Sequence, residues 1–167
     1  GATSDRAGTL AATPTATYAS VKNTMTQSLL LTGLSLSTAN AVRAGDVIEF
    51  TGTGANARSH INMLTRQPFY DASGAPLKWR CTVVTGGSTD GSGNVTVTVT
   101  NPAIYEASGQ YNNISAALTS GDAFTILGTA SETYKPNLSF AKGAFGIGFV
   151  ELPKLYSTDT VVTTSQG

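Results

Sequence analysis

"VTVTVT", residues 95–100, sets three valines on one side of an extended chain and three threonines on the other. Successive side chains of a strand point to opposite faces, so this alternation marks a strand with one buried face. Just before it, "TGGSTDGSGN" (85–94) collects residues that tolerate unusual φ and hydrogen-bond their own backbone, which reads as a turn. The alternation recurs outward from there. "LKWRCTVV" (77–84), "DVIEFTG" (46–52) and "DAFTILGT" (122–129) read as strands, as does "TMTQSLLLTGL" (24–34), with Met25, Gln27, Leu29 and Leu31 on one face. No segment holds a convincing helical period. Short strands between turn clusters indicate an all-β barrel or sandwich.

Composition points the same way. The 167 residues suit one domain, and 40% are hydrophobic, enough for a real core. Only 12% are charged, about half the ordinary share of roughly 25%. Polarity comes instead from hydroxyls, with 26 threonines; their branched Cβ favours a pleated sheet over a helix. The formal charge is zero and no basic cluster is visible, which argues against binding to nucleic acid or an anionic membrane. No apolar run is long enough to span a bilayer, and the start does not read as a signal peptide. Gly1-Ala2 lacks an initiator Met, which suggests a cut or a boundary. The lone Cys81 has no partner for an internal disulfide and reads as a buried small thiol.

One phrase occurs twice: "AVRAGDVIEFTGTG" (41–54) and "ALTSGDAFTILGTA" (117–130). Each puts Gly-Asp before an apolar run and closes on Gly-Thr. The reading is a strand-starting turn, in which Asp caps its own backbone and Gly supplies freedom in φ. Residues 1–23 read as an extended arm or long loop, 37–45 as a turn and 101–118 as a connector. Residues 131–153 read as a loop with one or two short aromatic strands, and the tail as extended. The stretch 53–78 has no clean period and four Gly or Pro residues; a loop this long in a compact domain is functional or mobile.

Catalytic chemistry finds little support. His60 has no strained nucleophile turn such as G-x-S-x-G to serve, and it reads as a surface loop residue. One His and one Cys do not make a zinc site. "GAFGIGF" (143–149) lacks the phosphate-loop pattern. "DASGAP" and "STDGSGN" lack the calcium-loop register and read as turns. The triplets at Asn94, Asn113 and Asn137 are what a Ser/Thr-rich chain produces by chance. Trp79, Phe69, Tyr70, Tyr105 and Tyr111 suggest a sugar-binding platform, although aromatics bordering a β core are more often structural. The expectation is no enzyme, no metal and no cofactor.

The phrases do form an ordered series: "RAGDVIEFTG", "INMLTRQ" (61–67), "LKWRCTVV", "DGSGNVTVTVTNPAI", "GQYNNISAAL", "GDAFTILG" and "YKPNLSFAKGAFGIGFVELP". Over nearly all of residues 24–155 this series resembles the insertion domain of the P22-like bacteriophage major capsid (coat) proteins. It departs from them at Asn62-Met63, where the family has Asn-Pro, in a longer 53–78 loop, and around Lys142, which lacks the flanking His and Asp. The resemblance implies a Greek-key-like β-barrel at 23–153, inserted into a capsid subunit of the HK97-type fold. Residues 1–22 and 154–167 would then be extended arms leading from and back to the capsid core. It implies a structural role: aiding subunit folding and joining capsomers through the loops at 10–23 and 54–78. Lys22, Arg58, His60, Arg66, Tyr70 and Asp71 are the candidate contacts. The implied partners are copies of the same chain in an icosahedral shell and a scaffolding protein, and the implied locations are the host cytoplasm during assembly and then the virion. The alternative is a stand-alone β-sandwich module binding a carbohydrate or protein ligand, with Trp79 at its site.

Overall fold

The computed structural model describes residues 5–129, together with Glu132 and Lys135. Lys135 aside, these lie in the compact unit Gly1–Thr133. The expected aromatic strands within 131–153, the tail and Asn137 fall outside the described residues. Within them, six strands form: β1 (Ala7–Leu10), β2 (Thr26–Thr32), β3 (Val47–Phe50), β4 (Arg80–Thr85), β5 (Val95–Thr100) and β6 (Ala123–Ile126). They close into a barrel in the order β1-β2-β5-β4-β3-β6, with every neighbouring pair antiparallel. β3, β4 and β5 follow one another around the wall, and β2, which leads into β3 by a long connection, lies beside β5, which is the Greek-key relation. Closure leaves no strand edge unpaired.

The valines of 95–100 face the core. In the β2–β5 register, Val95, Val97 and Val99 stand opposite Leu31, Leu29 and Gln27, and all six are buried. Gln27 is the polar member, and its Oε1 accepts the Ala103 N–H at 2.9 Å. Ile48 and Phe50 of β3, Cys81 and Val83 of β4, and Phe124 and Ile126 of β6 complete the barrel interior. Burial pushes the Cys81 thiol up to about 12, so it acts as a small apolar group. The β4–β5 register shifts between Val83 and Thr85, and Val84 there is left exposed.

The N-terminal stretch differs from the expected arm. Residues 7–10 form β1 and close the barrel between β2 and β6, and Tyr18–Val21 forms a one-turn helix, α1. Thr17 caps α1 through a reciprocal pair: its hydroxyl accepts the Ser20 N–H, and the Ser20 hydroxyl accepts the Thr17 N–H. β1 has only Leu10 fully inside, so backbone bonding on both edges holds it rather than an apolar stripe. Gly8 is required there, because a Cβ would run into the Thr32 carbonyl oxygen and crowd the Phe124 ring.

The doubled phrase builds the same turn twice. Asp46 Oδ2 accepts the Arg43 N–H at 2.9 Å, and Asp122 Oδ2 accepts the Thr119 N–H at 2.8 Å. The preceding glycines have φ of +91° at Gly45 and +87° at Gly121. The strands that follow, β3 and β6, pair with each other: Ile48 opposite Ile126, Glu49 opposite Thr125, and Phe50 opposite Phe124. The two copies are therefore related by a local two-fold through the Glu49–Thr125 pair, and their turns sit at opposite ends of that ladder.

These glycines separate two physical causes. No atom lies within 4 Å of a Cβ built on Gly45, so Gly45→Ala meets only left-handed strain, about 1–2 kcal/mol. Gly8→Ala meets a backbone oxygen, and we expect it to lose more, by detaching β1. Urea unfolding of both variants checks the order; equal losses would contradict the role given to Gly8.

Candidate contact surface

The 53–78 stretch is a folded platform on one end of the barrel. After a 3-10 turn at Gly54–Asn56, the chain runs outward, reverses at 62–67, returns, reverses at 71–75 and runs into β4. Isolated bridges stitch the three runs together: Ser59 to Lys78, Ile61 to Pro68 and Tyr70 to Pro76, with His60 bridging to Ile114 of the connector. The His60 N–H donates to the Leu77 carbonyl at 3.0 Å, the Leu77 N–H to Phe69 at 2.7 Å and the Phe69 N–H to His60 at 3.1 Å. At the first reversal, Asn62 Oδ1 accepts the N–H groups of Leu64 and Thr65 at 2.8 and 3.2 Å. At the second, Asp71 Oδ1 accepts from Ser73 and Ala75 at 2.8 and 3.0 Å. "DGSGN" at 90–94 repeats that geometry, with Asp90 Oδ1 accepting from Ser92 and Asn94 at 2.7 and 2.9 Å.

Arg58 belongs inside rather than on the contact surface. It is only 4% exposed, and its guanidinium grips the Asp122 carboxylate in two bonds, Nε to Oδ2 at 2.9 Å and a terminal nitrogen to Oδ1 at 3.0 Å. Its remaining donors reach the carbonyls of Ala55 and Ala57 and the Thr119 hydroxyl. A charge so placed is tolerated because every donor is used. It ties the root of the platform to the second Gly-Asp turn.

Trp79 is likewise turned in, at 1% exposure, so it cannot serve as the sugar platform that the alternative needs. His60 is half-buried, not a free surface residue. Its ring lies on Trp79 with centroids 4.2 Å apart, and its Nε2 accepts the Arg80 N–H at 3.2 Å. Burial first, and then the Arg80 charge, lower its pKa from the ordinary 6.5.

Lys22, Arg66, Tyr70 and Asp71 are exposed. Lys22 ends α1; Arg66 sits at the first reversal with φ +60° and donates to the Gly109 carbonyl; Tyr70 and Asp71 lead into the second reversal. Sequence reasoning singled out the aromatics Phe69 and Tyr111 but missed the aliphatic residues beside them. Leu64, at the first reversal, is 93% exposed, and Met63 and Phe69 are exposed beside it. Together with Tyr18, Met25 and Tyr111 they border a groove of about 670 Å³, with Tyr18 stacked on Tyr111 at 4.1 Å. The loop's lack of period concealed Met63 and Leu64. Among the described residues no group of three or more His, Cys, Asp or Glu side chains comes together to hold a metal. The arrangement leaves an apolar groove open to solvent, with Lys22, Arg66 and Asp71 also exposed.

Compared with known proteins, the chain matches the family described as "P22 coat protein - gene protein 5" over residues 2–167. The major capsid protein of Acyrthosiphon pisum secondary endosymbiont phage 1 is 37% identical to it over 164 residues. That alignment covers 98% of this chain but only 37% of the relative.

The turn carboxylates carry a pH expectation. The Ser73 hydroxyl and then the Ala75 N–H hold Asp71 below its ordinary value, while the N–H groups of Asn94 and Ser92 do the same for Asp90. A depressed folded pKa adds stability that is complete above the unfolded carboxylate range and lost as pH falls through the folded value. Both turns should therefore keep their order at pH 4 and lose it only in stronger acid. Carboxyl NMR titration reads this directly; midpoints at ordinary values would contradict it.

Proposed function

Because this chain belongs to the P22 coat protein family, we propose that it is the insertion domain of a tailed-phage major capsid subunit and takes part in joining capsomers. The subunit is the larger protein: this chain spans 37% of the length of the curated relative it matches. In this reading the segment before Ala7 and residues 154–167 lead from and back to a shell-forming core of the HK97 type. The partners are further copies in an icosahedral shell and a scaffolding protein during assembly in the host cytoplasm, and the final location is the virion. The role is structural, with no catalytic step.

The observation that carries the contact role is the exposed apolar crest of the platform, Met63, Leu64 and Phe69, which border one groove and are held on a closed barrel. Contiguous exposed apolar surface marks interaction sites, and a symmetric shell multiplies each modest contact. Lys22, Arg66, Tyr70 and Asp71 supply the polar margin, where charges steer and set register more than they add affinity. His60 lies at the groove's inner wall. Arg58, buried against Asp122, has no part in that surface.

The test uses the full-length subunit coexpressed with its scaffolding partner. Leu64→Asp should cut particle yield about tenfold or more, as loss of an interface anchor does, while the chain's melting temperature stays unchanged. Wild-type particle yield from that variant would remove the contact role from the platform. A wild-type subunit that stays monomeric under assembly conditions would overturn the capsid reading itself.

A further inference from the structure

His60 is the single histidine and Trp79 the single tryptophan of the chain, and the fold stacks one on the other where the platform meets β4. For Nε2 to accept the Arg80 N–H, the ring must be neutral with its proton on Nδ1. The same residue anchors the platform through its backbone, to Leu77 on one side and Phe69 on the other. Ring and backbone thus serve one junction.

We propose that His60 is a proton-operated latch: a proton taken up at Nε2 replaces the acceptor with a donor, breaks the bond to the Arg80 N–H and loosens the 59–78 platform from the barrel end. The charges around the ring offer the proton no compensation. Arg80 flanks it on the β4 side, and the carboxylate nearest Arg80, Glu49 of β3, is already engaged by Arg80 at 2.6 Å and by Lys78 at 3.6 Å. From α1 and the connector the groove wall presents Tyr18, Tyr111, Asn101 and Asn113, with no carboxylate among the described residues. A cationic ring would therefore face the Arg80 charge and a neutral groove wall. Release stays local, because the Ile61 N–H bond to Asn113 and the Trp79 N–H bond to Arg58 do not involve the ring. The direction follows: a neutral, partly buried histidine adds stability that is complete above its unfolded pKa and fades as pH falls below it. The latch operates in the isolated chain and does not depend on the capsid reading.

The experiment is an NMR and fluorescence titration of the 167-residue chain from neutral pH to about pH 5, within the range of histidine protonation. The His60 ring should titrate below 6.5, with the Arg80 amide shift and Trp79 fluorescence following the same curve. Amide exchange at His60 and Leu77, corrected for intrinsic rates, should rise about tenfold across that curve, as local opening does. His60→Gln keeps an acceptor and cannot titrate, so it should retain the neutral-pH spectrum and lose all three responses. A ring that titrates while the Arg80 amide stays still would overturn the proposal. So would the same acid response in His60→Gln. If that variant does not fold, the coincidence or separation of the wild-type curves decides by itself.

Discussion

The buried pair of Arg58 and Asp122 is the constraint on which the exposed features depend. A guanidinium inside a protein loses its hydration, and the loss is offset only by a carboxylate and a full set of acceptors in fixed places. Asp122 is fixed because it already accepts the Thr119 N–H in the turn that begins β6. Arg58 must therefore come to it, and the platform beginning at Ser59 inherits a defined starting point. Removing either partner from such a pair costs about 3–5 kcal/mol. The pair thus joins a loop with no secondary-structure period of its own to the closed barrel.

The doubled Gly-Asp phrase has a related logic. Its copies start neighbouring antiparallel strands that pair with each other. Each copy's aspartate also receives an arginine: Asp46 lies 3.9 Å from Arg6 and Asp122 lies 2.9 Å from Arg58. One turn design meets two different needs. Near β1 the arginine precedes the first strand, and its side chain also reaches the Ile126 and Leu127 carbonyls. At the other end it anchors the platform. The repeat is a structural device around a local two-fold, with no chemistry attached.

Much of the barrel was legible because its wall strands carry their own signal. Residues 95–100 alternate cleanly, as a strand with one buried face must, and 26–32 is an apolar run whose Leu29 and Leu31 keep the same spacing. β1 was not legible: "AGTL" has one core residue and a glycine whose need comes from Thr32 and Phe124, on other strands. The platform was illegible for the same reason. Its bonds join His60 to Leu77 and Phe69, and Asn113 to Ile61, pairings that no local pattern encodes. Arg58 in a polar, irregular stretch reads as a surface cation, and only Asp122, 64 positions away, makes it a core residue. Leu64 fails in the opposite sense, since an apolar residue in a loop suggests burial yet stands in solvent. The family resemblance came from the order of phrases, which survives even where loop details differ.

If Arg58 is what holds the platform rigid on the barrel end, removing it must loosen the platform and spare the wall. Amide hydrogen exchange on Arg58→Met/Asp122→Asn tests it most directly, since the asparagine can still accept the Thr119 N–H and no buried charge is left alone. Protection at His60, Asn62, Phe69 and Leu77 should fall about tenfold or more relative to wild type, while Leu29, Val97 and Val99 in the wall keep the protection set by global stability. Unchanged protection across the platform, with the pair gone, would contradict it.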